Sequence, residues 1–211
     1  AYVIITAGEN ARTVLVEAND SARTLAKRIN AVAGATQVTA EGRTFALLSS
    51  TDTTGASTAK IKINGTETAA FALSTSDVSD AVLKINAISQ TTGVQASATD
   101  DYKVLLTDKW GDTITIQNTA GTARAGNLKV QAVANNGTSN SGDAVTMAQS
   151  GDNSSATVMG TLRLTSSSEF SVNLADPSTN ANEWFLDSDT PAELKTVGEV
   201  DVRGRIKASD A

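Results

Sequence analysis

The amino-acid order points to an α+β protein of two small domains. Each is a mainly antiparallel sheet carrying a ββαββ unit with one packed helix. Three observations lead there. First, Ala22, Leu25, Ala26, Ile29 and Val32 recur as Val78, Ala81, Val82, Ile85 and Ile88, every pair offset by 56 positions. That is a duplicated supersecondary unit. Each copy closes on Ile-Asn (Ile29-Asn30, Ile85-Asn86) and a short loop leads to Val38-Thr39-Ala40 or Val94-Gln95-Ala96. Second, short β-rich runs punctuated by turn residues flank both copies. Third, hydrophobic residues make up 40% of the chain but aromatics only 4%, so the core must be built from Val, Ile, Leu and Ala. Such side chains bury little area each, which favours thin domains of modest stability.

Tyr2–Thr6 reads as a strand, Ala7-Gly8-Glu9-Asn10 as a turn, and Thr13–Glu17 as the returning strand. Asp20 or Ser21 is placed to cap the first helix by accepting from an unpaired backbone N–H. Its apolar residues fall on one face, with Arg23, Lys27 and Arg28 on the other. Gly34 is expected to end it in a left-handed conformation. Val38–Ala40, a turn at Glu41-Gly42, and Thr44–Ser49 read as a second hairpin.

The second unit follows the same plan. Asn64-Gly65 is the strongest short hairpin signal, since a type I′ turn needs positive φ at both central residues. It joins Lys60–Asn64 to Thr66–Leu73. Ser76 or Asp77 is expected to cap a helix ending near Ser89. Val94 onward enters a hairpin turning near Asp100-Asp101 and returning along Lys103–Thr107, with a further strand at Thr113–Gln117.

From Asn118 to Ser155 turn-forming residues dominate, with strand-like islands at Leu128–Val133 and Ala144–Ala148. Thr157–Leu164 and Phe170–Asn173 read as a hairpin joined by Ser166-Ser167-Ser168, and Val197–Val202 as a last strand. Trp184-Phe185-Leu186 is expected to plug a core or a junction. A first unit of roughly 50 residues is marginal alone. It is therefore expected to borrow the strands of 157–202. This makes residues 1–52 plus 155–211 a discontinuous proximal domain, with 53–154 inserted as a distal one.

Cys and His are both absent, which removes disulfides, thiol nucleophiles, the commonest metal ligand and the commonest general base. Metal, cofactor and catalytic residues are accordingly expected to be none. Net charge is −6 and no basic stripe is present, which argues against a nucleic-acid partner. No apolar run approaches the ~20 residues a spanning helix needs, so no membrane partner is expected. With neither an initiating Met nor a signal peptide, the chain is expected to be an excised piece of a longer protein.

The stretches DSARTLAKRINAVAGATQVTAEGRT and DVSDAVLKINAISQTTGVQASATDD resemble the hook IN motif of bacterial flagellins. In that motif a helix closes on Ile-Asn and Thr-Gly-Val-x-Ala follows. Thr92–Ala96 carries this in full; the first copy has Gln37 where Gly is usual. GTLRLTSSSEFSVN (160–173) resembles the strands that return from a flagellin's outermost domain. TVGEVDVRG (196–204) resembles the segment before the filament core, where Arg203-Gly204 departs from the family's usual Ser-Thr. Residues 118–156 fit a hypervariable tip. The resemblance implies a structural, non-enzymatic protein: the surface-exposed outer domains of flagellin, extracellular in the flagellar filament and serving motility. Its partners would be neighbouring flagellin subunits. No polymerising heptad-rich helix is present, so this chain is expected to be monomeric and to form no filaments. Filament cap and hook-associated proteins carry the same motif and are an alternative. A secreted glycan-binding adhesin module is another.

Other candidates compete with plain structural roles. Ser57-Thr58-Ala59-Lys60 matches Ser-x-x-Lys, but its partner motifs are missing. Asp100, Asp101, Asp108 and Asp112 could gather around calcium, though no Asp-x-Asp-x-Asp-Gly loop exists. Asn64, Asn136 and Asn153 head N-glycosylation patterns that read as turns in a bacterial chain. Ser and Thr at 51–58, 138–141, 154–157 and 165–168 could accept O-linked sugars. Arg23, Lys27 and Arg28 read as a solvated face. Trp184 and Phe185 could stack on a sugar, but burial is the commoner use of large aromatics.

Overall fold

A computed structural model of the chain describes residues 2–50, 57–119, 128–138, 140–148, 154–174 and 199–202. Among these residues the protein is mostly antiparallel sheet with four short helices, an α+β fold. It divides into two compact units, Ala1–Arg43 with Trp110–Asp112 and Met159–Ala211, and Thr44–Lys109 with Thr113–Val158.

In the first unit β1 (Tyr2–Ala7) and β2 (Asn10–Leu15) form a hairpin. Strand β15 (Ser171–Leu174) pairs with the other side of β1. Residues 38–43 open the long strand β3 (Val38–Ser50) and pair with β14 (Thr161–Ser166), which also pairs with β16 (Glu199–Val202). Helix α1 (Ala22–Ala31) is capped by Ser21, whose hydroxyl accepts from the Thr24 N–H. Ala22, Leu25, Ala26 and Ile29 turn inward onto Val3, Ile5, Val14, Val38, Leu162 and Leu164.

In the second unit residues 44–50 of β3 lie between β11 (Leu128–Val133) and β9 (Val104–Asp108). The strands β12 (Val145–Met147) and β8 (Gln95–Ala98) flank them. A second sheet runs β13 (Ser155–Val158), β10 (Ile114–Asn118), β5 (Ile61–Ile63), β6 (Thr66–Glu67). A short pair, β4 (Ser57–Ala59) with β7 (Phe71–Leu73), completes the set. Helix α3 (Ser79–Asn86) buries Ala81 and Ile85 in the core that both sheets share. Period-two alternation is plain in β10, where Ile114 and Ile116 are fully buried and Thr115 and Gln117 are not.

Several local expectations change. Glu41-Gly42 is no turn; β3 runs through it unbroken. Gly42 serves close approach instead, since a Cβ there would come within 2.9 Å of the Ala22 carbonyl carbon. Thr66–Leu73 splits into β6 and β7, because Thr68 turns inward to bond Ile61 through backbone and hydroxyl. Gly34 does not end α1. It sits inside a one-turn helix, α2 (Ala33–Thr36), and the left-handed residue is Gln37 at φ 55°. Helix α3 likewise stops at Asn86 and a one-turn α4 (Ser89–Thr92) follows. The start of α3 is bound by Asp77, which accepts from the Ser79 N–H. The hairpin expected of 157–164 with 170–173 does not form. Met159-Gly160 separates β13 from β14, β14 pairs with β3, and β15 pairs with β1. Trp184-Phe185-Leu186 lies outside the described residues.

Candidate functional site

The feature with the most internal structure is the duplicated helix–turn–strand itself. Asn30 donates through Nδ2 to the Ala40 carbonyl at 2.9 Å and accepts from the Ala40 N–H at 2.7 Å. Asn86 does the same to Ala96, at 2.9 and 2.8 Å. A carboxamide is the one short side chain offering a donor and an acceptor side by side, so it satisfies both backbone groups of one residue. The Ile before each Asn, Ile29 and Ile85, is buried and fixes the helix face that presents it.

The turn is duplicated in the same detail. The Thr36 hydroxyl donates to the Val32 carbonyl at 3.2 Å and accepts from the Val38 N–H at 3.3 Å. Thr92 repeats this with Ile88 at 3.2 Å and Val94 at 3.2 Å. Both threonines are buried. Gln37 and Gly93 then take the left-handed position. The two threonines obey the same 56-residue offset and were legible by it, yet they sit outside the apolar pattern that defined the repeat.

The reactive candidates do not assemble. Lys60 Nζ lies 2.6 Å from Glu67 Oε2, holding Glu67 below the usual carboxylate range together with Thr119, and the Ser57 side chain is outside the described residues. Asp101 is held low by Lys103 and Thr99 within its own turn. Asp108 is buried in the second unit, while Asp112 belongs to the first, where it accepts from Ser21 at 3.3 Å and Arg23 at 2.7 Å. Among the described residues no group of three or more His, Cys, Asp or Glu could hold a metal ion.

The first unit's core holds a space of about 10 Å³ lined, among the described residues, by apolar side chains such as Val3, Leu25, Ile29 and Leu164. That is roughly the room of one water with nothing polar to hold it, too small for a ligand. Asn64 is committed to structure. Its carboxamide donates to the Thr92 carbonyl at 3.0 Å and accepts from the Thr115 N–H at 2.9 Å. Asn136 accepts from Thr138 N–H at 3.0 Å within its loop, and Asn153 lies outside the described residues. On the basic face, Arg28 pairs with Asp20 and Glu17, Arg23 pairs with Asp112, and Lys27 is exposed. The Arg23 guanidinium lies 5.8 Å from the centre of the Trp110 ring, which is 57% exposed. Of the Ser and Thr groups, the described parts of 138–141, 154–157 and 165–168 lie in loops or strands, and most of 51–58 is outside the described residues. Trp184 and Phe185 are outside them too. No helix is long and apolar enough to cross a membrane among the described residues.

Comparison with protein-family models and with curated proteins finds no match to this chain.

Proposed function

We propose that the chain forms the outer, solvent-facing domains of a bacterial flagellin and acts by packing and display, without catalysis. The carrying observation is that both Ile-Asn copies share one hydrogen-bonded construction, with Asn30 on Ala40 and Asn86 on Ala96. A motif that spends its polar side chains on its own backbone is a scaffold. In this reading each domain is a ββαββ variant with one packed helix. The proximal domain is made of residues 1–52 plus 155–211 and the distal one of 53–154. The location is extracellular, on the flagellar filament, with neighbouring subunits as partners and polymerising helices supplied by sequence outside this chain. An acidic, thiol-free surface suits export and hydration.

Immunogold labelling with antibodies to this chain tests the reading. Labelling along the whole length of flagellar filaments is expected. Labelling confined to the tip or to the hook junction would move the chain to the cap or hook-associated proteins, and filaments without label would sink all three. Selective binding on a glycan array would favour an adhesin.

A further inference from the structure

We infer that Arg12 and Arg28 act as a built-in block on self-pairing, capping the open edge of β2 against a second copy of this chain. Among the described residues β2 pairs only with β1. Its hairpin turns on Gly8 at φ 58°, with Ala7 opposite Asn10. In such a two-residue hairpin the flanking pair is hydrogen-bonded. Alternation along an antiparallel ladder then bonds Arg12 and Val14 to β1 and points the backbone of Ala11, Thr13 and Leu15 away from it. All three are exposed, with Leu15 at 39%.

An edge of this kind is a template for another strand. The symmetric solution sets Thr13 opposite Thr13 and Ala11 opposite Leu15, as a two-fold interface requires. It would need the carbonyls of Ala11 and Leu15. Arg12 Nη1 donates to the Ala11 carbonyl at 2.8 Å, and Arg28 Nη1 donates to the Leu15 carbonyl at 2.8 Å. Glu17 and Asp20 hold Arg28 in place. Both outer acceptors are therefore occupied by cationic groups, and a second copy would bring its own Arg12 alongside.

The Cys-free chain makes the test clean. Thr13→Cys alone should stay monomeric under mild oxidant. Adding Arg12→Ala, and then Arg28→Ala, should raise disulfide cross-linking between the introduced thiols of two copies severalfold. R12A/R28A without the introduced thiol should sediment as a dimer with a cooperative melt. Arg28→Ala also releases Asp20 and Glu17; if the double variant fails to fold, Arg12→Ala alone decides. The inference is overturned if Thr13→Cys with Arg12→Ala cross-links no faster than Thr13→Cys alone. It is equally overturned if Ser97→Cys, on β8, responds as strongly to the same arginine substitutions.

Discussion

Gln37 and Gly93 occupy the same left-handed position at the end of the repeated turn, with φ 55° and φ 76°. Each N–H closes the preceding one-turn helix, onto Ala33 at 2.7 Å and Ser89 at 2.9 Å. Glycine takes that conformation freely, whereas a side chain is strained there by ~1 kcal/mol. Gln37→Gly should therefore stabilise the first unit by up to ~1 kcal/mol. Gly93→Ala should destabilise the second by more, because its Cβ would also sit 3.3 Å from Asp108 Oδ2. Chemical denaturation of both variants checks the opposite signs.

The asparagine clasp makes a graded prediction. Asn86→Ala strands the N–H and C=O of Ala96 in partly buried surroundings and should cost ~1–3 kcal/mol. Asn30→Ala, at an exposed site where water can substitute, should cost less. Asn86→Asp keeps the acceptor but sets a carboxylate against the Ala96 carbonyl, so it should not rescue. Equal losses at both positions would contradict the burial argument.

Gly42 is required by packing rather than by φ. Gly42→Ala places a methyl 2.9 Å from the Ala22 backbone, which cannot rotate aside. The start of α1 must shift, at a cost of ~1–3 kcal/mol. A melting temperature equal to the parent's would show that the helix is not held there.

Acid should weaken the second unit. Glu67, Asp77 and Asp101 all lie in it, with carboxyls held below their ordinary values. Asp77 owes this to the backbone and hydroxyl of Ser79. A carboxylate depressed in the folded state binds fewer protons there than in the unfolded chain. Its contribution is complete above the unfolded value of ~4 and fades as pH falls through the folded one. With no His in the sequence, stability should be flat around neutrality and drop below about pH 4. Asp77→Ala should shallow the acid limb, as followed by circular dichroism.

Trp110 should report solvent. Its ring is 57% exposed, so Trp110→Phe should remove a red-shifted, readily quenched part of the emission. The Arg23 contact over the ring is of the exposed kind, worth ~0.5–1 kcal/mol.

Limited proteolysis addresses the domain proposal. Release of a folded fragment near residues 53–154 is what the proposal expects; a protected fragment that also keeps 44–50 and 155–158, the strands paired with β9, β11 and β10, would move the boundary outward to those residues. First cuts inside 60–116 would count against an inserted distal domain.

Local features were legible in the amino-acid order alone. The apolar spacing of α1 and α3, the Ser21 cap, the Asn64-Gly65 turn and the 56-residue repeat each depend on neighbours a few positions away or on direct comparison of two stretches. The absence of Cys and His rules out disulfides, thiol nucleophiles and imidazole ligands in the same direct way. Which strands meet was settled only in the folded chain. Alternation tells which face of Thr161–Ser166 is buried, but not that β3 and β16 are its neighbours while β15 turns to β1. Gly42 shows the same limit: a glycine in sequence signals a turn or a close approach equally well, and only the packing of Ala22 against it separates the two. The physical reason is that the entropy of closing a loop grows only slowly with its length. Distant partners therefore cost little more than near ones, and the choice among them falls to packing and backbone satisfaction that no single stretch encodes.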